Sequence, residues 1–201
     1  MIQNQDVPLV LNDCKRSKTP VLISSSGLDI AFQTVIKEID GNTVVLENMV
    51  KPEFISRFAK GEKFFLQCKM LRFQSTDVHP RGVSMAFEIQ ENSLIEETRQ
   101  SERFMFTPDE NVVAEIINPY DGKTKLRRQL MDMSATGLSL RINRTTKPFA
   151  PGSVLSNISV AIDGKHWTTL NGEVVYNRKF MDLKGKLKVQ VGVKFLTPPK
   201  K

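Results

Sequence analysis

The chain has 201 residues, of which 40% are hydrophobic and 25% charged, the balance of a globular protein with room for one large domain or two small ones. Its apolar runs are too short for a membrane span, and the opening stretch MIQNQDVPLVLNDCKRSK has neither the basic start nor the apolar middle of a secretory signal. The net charge of +7 lies wholly in the second half: residues 1–95 hold 11 Lys+Arg and 11 Asp+Glu, residues 96–201 hold 18 and 11, which points to an anionic partner or simply to a basic solvated surface.

In chain order, DVPLVLNDCKRS (6–17) reads as a short helix ahead of a turn at Lys18–Pro20. PVLISSS (20–26) and LDIAFQTVIKEI (28–39), rich in β-branched residues, read as two strands. DGN at 40–42 is a hairpin signal, and TVVLEN follows as the return strand. KPEFISRFAKG (51–61) reads as a short helix, with Pro52 at its first position and Gly61 as its cap. EKFFLQCKMLRFQS (62–75) and GVSMAFEIQ (82–90) read as long strands joined through TDVHPR, which places His79 in a loop. A polar stretch, ENSLIEET (91–98), marks a boundary, so that residues 1–95 and 96–201 are expected as separate domains.

The second half is nearly all β. NVVAEIIN (111–118) and KLRRQLMDMS (125–134) flank the turn PYDGKTK. GLSLRIN alternates, with Leu138, Leu140 and Ile142 on one face and Ser139, Arg141 and Asn143 on the other. VLSNISVAI and HWTTLNGEVVYN form a hairpin across DGK (163–165). KVQVGVKF alternates again, placing Val189, Val191, Val193 and Phe195 on one face. Short strands at regular spacing with turn signals between them argue for a sandwich or small barrel.

Catalytic chemistry finds little support. The two histidines, His79 and His166, fall in no triad or metal pattern, and GxSxG, HExxH and P-loop sequences are absent. Cys14 and Cys68 have no metal-like spacing, argue against a disulfide framework and fit a reducing cytoplasm. The expectation is a protein that is not an enzyme and holds neither metal nor cofactor.

Two stretches stand out. In DMSATG (132–137), strand parity puts Asp132 and Ser134 on one outer face while Met133 points to the core. Thr136 and Gly137 let the backbone bend and come close to a ligand. A plain turn with local hydrogen bonds accounts for the same residues. In RQSER (99–103), two arginines sit four apart at the domain junction. An arginine forks onto guanine O6 and N7, stacks on a base and pairs with phosphate. A solvated linker whose arginines pair with Glu96, Glu97 or Glu102 accounts for it equally well.

Taken together, in order, the two stretches resemble the signature of the PilZ domain family, bacterial receptors for cyclic di-GMP: RxxxR as Arg99-Gln-Ser-Glu-Arg103, then (D/N)xSxxG as Asp132-Met-Ser-Ala-Thr-Gly137. LNGEVVYN and VQVGVKF look like that family's closing strands, and the resemblance covers about residues 97–196. It implies that Arg99 and Arg103 wrap over the nucleotide, that Asp132 and Ser134 bind it from the barrel wall, and that Gly137 allows close backbone passage. Thr98, just before the motif, is implied at the ligand, and Arg128, which shares strand parity with Asp132, as an assisting cation. Gln100 stands where many members carry a further arginine. Many members also end in a helix, which the two prolines of LTPPKK forbid.

The order of elements in the first half resembles the amino-terminal domain of flagellar-brake proteins of the YcgR type. The resulting expectation is a mainly β protein: an N-terminal split-barrel-like domain with short helices (1–95) and a C-terminal six-stranded PilZ-like barrel (96–201), with the RxxxR segment as hinge. Its implied function is that of a non-enzymatic, cytoplasmic cyclic di-GMP receptor. Ligand binding would reorient the domains and act on a protein partner such as the flagellar motor or another signalling target, without membrane insertion. One alternative is a degenerate PilZ-like scaffold that works through protein contacts without nucleotide. Another, a general nucleic-acid-binding barrel, is disfavoured because the interleaved aromatics of a stacking platform are missing.

Overall fold

Alternating apolar residues in the second half call for a sheet with an inside and an outside, and the computed structural model of the chain closes that sheet into a ring. It describes residues 7–47, 61–69, 71–90, 93–95, 103–107 and 109–196. The chain divides into two compact units, Met1–Arg99 with Met181–Lys186, and Gln100–Phe180 with Leu187–Lys201.

The first unit begins with helix α1 (Val7–Arg16), which buries Leu11 and Cys14. One group of strands pairs antiparallel in the order β2 (Ile30–Thr34), β1 (Val21–Ser25), β5 (Phe64–Cys68), β6 (Leu71–Ser75), β9 (Leu94–Ile95). A second sheet runs β3 (Ile36–Asp40), β4 (Thr43–Leu46), β8 (Ser84–Glu88), β7 (Val78–Arg81). Their shared core includes Ile23, Leu46, Phe64, Phe73 and Phe87, all 1% exposed or less.

Three expectations for this unit change. LDIAFQTVIKEI is two strands: it breaks at Val35, and β2 and β3 enter different sheets. EKFFLQCKMLRFQS is a tight hairpin, Cys68 pairing with Leu71, and its turn opens on Lys69 at φ +50 without the glycine or asparagine that usually marks such a bend. His79 lies in strand β7 opposite Ala86, where Pro80 is tolerated because β7 is a sheet edge. The expected helix at 51–61 lies outside the described residues, except for Gly61.

In the second unit, β11 (Val112–Ile117), β12 (Lys125–Ser134), β13 (Gly137–Ile142), β14 (Val154–Ile162), β15 (Lys165–Met181) and β16 (Leu187–Phe195) pair in the order β14–β11–β12–β13–β16–β15, and β15 pairs back to β14. Six antiparallel strands therefore form a closed ring. The expected alternation holds: Leu138, Leu140 and Ile142, with Val189, Val191, Val193 and Phe195, fill the interior. Phe149, on a single 3-10 turn at Lys147–Phe149, is fully buried in the same core. Asp163 and Gly164, at φ 49 and 78, make the β14–β15 turn as the Asp-Gly pair predicts.

β12 outruns its neighbour. β11 pairs with it only as far as Gln129, so the edge from Asp132 to Ser134 is taken by a short strand, β10 (Arg103–Met105). Phe106 extends the contact by donating its backbone N–H to the Met131 carbonyl at 2.9 Å, and its ring packs on the core. This docking carries the end of the RxxxR segment onto the ring wall.

Candidate functional site

β12 carries an irregularity that sets the site's geometry. Leu130 pairs with Leu140 and Asp132 with Ser139, so two residues on β12 span a single step on β13. Met131 is the extra residue of a β-bulge, and the bulge switches the side-chain parity of the strand. Leu130 and Met133 both reach the core, and Asp132 and Ser134 turn outward. Without the bulge, Asp132 would share the interior face with Leu130. Arg128, predicted to stand beside Asp132 by parity, is separated from it for the same reason: it lies opposite the core residue Ala114, with its guanidinium 5.5 Å from the Phe149 ring centre.

The outward face of Asp132 is not open. Asp132 is 2% exposed and Ser134 7%, against the expectation of an acceptor and a hydroxyl on a free surface. Arg103 stands opposite Ser134 in the β10–β12 register, and its Nη1 donates to Asp132 Oδ1 at 3.1 Å. Ser139 Oγ donates to Asp132 Oδ2. Gln190 Nε2 donates to the same oxygen at 3.3 Å and to Ser139 Oγ at 3.0 Å. The carboxylate thus meets three donors from three strands, which is how a buried charge is accommodated. Arg103 is the more exposed partner, with 23% of its side chain accessible.

Ser134 serves its own turn. Its Oγ accepts from the Thr136 backbone N–H at 3.3 Å and donates to the Gly137 carbonyl at 3.3 Å. Gly137 is dictated by the neighbouring strand: a Cβ there would lie 2.5 Å from the Val193 carbonyl oxygen. Gly192, opposite Ser139, makes room in the same way for the Tyr176 ring, whose Cε1 would stand 2.1 Å from an added Cβ. Arg141, opposite Gln190, places a further cation on this face, its guanidinium 5.7 Å from the Phe180 ring centre.

Of the residues predicted for the site, Arg103, Asp132 and Ser134 come together and Gly137 closes their loop. Arg128 does not join them. Thr98, Arg99 and Gln100 lie outside the described residues. Ser139, Gln190 and Tyr176 were missed. Ser139 and Gln190 could be placed on polar faces from the alternation of their strands, but only the β13–β16 register brings both within reach of Asp132. The cluster offers guanidinium, amide and hydroxyl donors around one carboxylate, chemistry for holding a polar or anionic ligand. Among the described residues, no group of three or more His, Cys, Asp or Glu is placed to hold a metal ion.

A family model described as "PilZ domain" matches residues 97–201, more than half of the sequence. The chain belongs to the PilZ domain family. Both stretches of the PilZ signature fall within the matched residues, and Arg103 of the first pairs with the Asp132–Ser134 part of the second on the β10–β12 ladder. Compared with curated proteins by sequence, the chain matches none. Among solved structures, the complex of MrkH from K. pneumonia with c-di-GMP is 14% identical and covers 97% of this chain and 87% of its own, with a TM-score of 0.66. A second MrkH structure, described as a c-di-GMP-dependent transcription regulatory factor, is 13% identical, with coverages of 97% and 84% and a TM-score of 0.60. YcgR from Escherichia coli in complex with c-di-GMP is 13% identical, with coverages of 97% and 83% and a TM-score of 0.51. At such identities the likeness shows the fold, and its coverage extends that fold beyond the PilZ unit to the first unit as well.

Proposed function

We propose that the protein is a non-enzymatic cytoplasmic receptor for cyclic di-GMP, with Arg99, Arg103, Asp132, Ser134 and Gly137 forming the ligand site and Thr98 and Gln100 beside it. The observation that carries this reading is the register of β10 on β12, which sets Arg103 against the DMSATG residues inside the family match. Cyclic di-GMP carries two phosphodiesters and two guanines. A guanidinium has five N–H donors in a planar fork, and Arg103 directs Nη1 to Asp132. Its accessible edge suits a phosphate or the O6/N7 edge of guanine, with Asp132 acting as its anchor. The first MrkH structure and the YcgR structure named above are complexes with the same nucleotide, which supports the choice of ligand.

The output is an ordering step. Residues 99–103 lie at the proposed boundary between domains 1–95 and 96–201, so drawing Arg99 onto the ring beside Arg103 would bias the arrangement of the domains and change the face offered to a protein partner. A calorimetric titration with cyclic di-GMP, with GTP as control, tests the receptor. Saturable binding to the dinucleotide alone is expected, and its absence overturns the reading.

One observation favours a second reading, a PilZ scaffold that acts through protein contacts without nucleotide. Asp132 is already saturated by Arg103, Ser139 and Gln190, and Gln100 replaces a cation that many members carry. In that case saturating cyclic di-GMP leaves the melting temperature unchanged.

A further inference from the structure

Cys14 and Cys68 are far apart in the sequence, and the fold of the first unit brings them together. Both are free thiols and 0% exposed. Cys14 lies in α1, which packs on β3 and β5, and Cys68 is the last residue of β5. The residue beside each cysteine completes a clamp: Lys69 Nζ donates to Asp13 Oδ2, tying the end of β5 to the helix. Inside the clamp the two side chains meet in one buried core, close enough for one thiol to hydrogen-bond the other. Two buried thiols that face each other across a helix and a strand are the arrangement a disulfide would bridge.

The two thiols are not equivalent. The hydrogen bond with Cys68 lowers the Cys14 thiol below its ordinary value, burial opposes it, and the Lys69 ammonium adds a smaller lowering. Cys68 is pushed up, chiefly by the same hydrogen bond and then by burial. Cys14 rides on the helix and Cys68 is held in the sheet, so local opening of α1 presents Cys14 first, as the nucleophile, and leaves Cys68 as the resolving thiol. Access comes through α1, a ten-residue helix. Helices of that length are marginal on their own and open locally when their packing is lost.

We propose that Cys14 and Cys68 are a reversible dithiol–disulfide pair that closes under hydrogen peroxide and fixes α1 covalently to β5. The Cys14 thiolate attacks one peroxide oxygen, the O–O bond breaks, and hydroxide leaves and takes up a proton, giving Cys14 sulfenic acid and water. The Cys68 sulfur then attacks the Cys14 sulfur and loses its proton, and a second water leaves. Two thiols and one peroxide become one disulfide and two waters. A thiol reductant restores the pair, which suits a reducing compartment where such bonds are transient.

The test is peroxide treatment of the folded full chain, read by intact mass and peptide mapping. The expected result is a loss of about 2 Da, a Cys14–Cys68 cross-linked peptide, a melting temperature raised by at least about 5 °C, and full reversal by dithiothreitol. In Cys68→Ser, or in Cys68→Ala if the first folds poorly, Cys14 should gain one oxygen that dimedone traps. The proposal is overturned if both thiols still alkylate after peroxide, if the wild type accumulates oxygen adducts in place of the disulfide, or if the cross-link forms between chains.

Discussion

Replacing Asp132 by Asn keeps its shape and removes its charge, which isolates what the carboxylate does. The two oxygens face donors on both sides: Arg103 Nη1 at 3.1 Å on Oδ1, and Ser139 Oγ with Gln190 Nε2 at 3.3 Å on Oδ2. An amide has one acceptor and one donor end, so whichever way it turns, its nitrogen meets a donor. Losing a charge-assisted hydrogen bond costs about 1.5–3 kcal/mol. Arg103, with 23% of its side chain accessible, recovers part of this from water, so a net loss of about 2 kcal/mol is expected. Trp167, the only tryptophan, lies on β15 of the same unit and reports its unfolding. With a urea slope of roughly 1–3 kcal/mol per molar, the midpoint should fall by about 1 M with the slope unchanged. Arg103→Ala combined with Asp132→Asn should show a coupling of about 1 kcal/mol or more. A midpoint within about 0.2 M of wild type, which that slope converts to well under 1 kcal/mol, or strict additivity would refute the anchoring role.

Gly137→Ala should destabilise the second unit by about 1–3 kcal/mol, because the new methyl meets backbone 2.5 Å away and β13 and β16 must part; full tolerance in the same urea titration would mean the glycine answers to ligand alone. Gln190→Leu removes a donor from both Asp132 and Ser139 and should weaken cyclic di-GMP binding by about three- to tenfold in calorimetry, whereas unchanged affinity would separate this residue from the site. Asp121 is held down to about 2 by the Thr124 hydroxyl first, then by the backbone N–H groups of Lys123 and Thr124. Its unfolded value is higher, so its contribution to stability is complete above about pH 4 and is lost as the pH falls through 2. An NMR titration should find the carboxyl midpoint near 2, and a midpoint near 4 would show that the turn does not hold it.

The parts of the fold legible in the sequence were those governed by local rules. The alternation of β13 and β16 placed their core residues correctly, and the Asp-Gly pairs marked both hairpins. The two motif stretches also pointed to one another across a gap of about thirty residues, and β10 pairs on β12 accordingly. What could not be read depended on register. The Met131 bulge has no compositional mark, yet it turns Asp132 outward and sets Arg128 apart. The hairpin at Lys69 bends without glycine, so two strands looked like one. Strand alternation set Ser139 on a polar face and left Gln190 unremarked, and no strand by itself shows that they converge on one carboxylate. Cys14 and Cys68 looked unrelated because only the packing of α1 on β5 joins them.

The central claim, that Arg103 on the ring wall grips cyclic di-GMP, is tested most directly by titrating wild type and Arg103→Ala with the dinucleotide in parallel, with GTP as control. Saturable binding by wild type, a loss of at least about tenfold in the variant, corresponding to 1.4 kcal/mol or more, and no response to GTP are the expected results. Equal affinities for the two proteins, or no binding by wild type, would contradict the account.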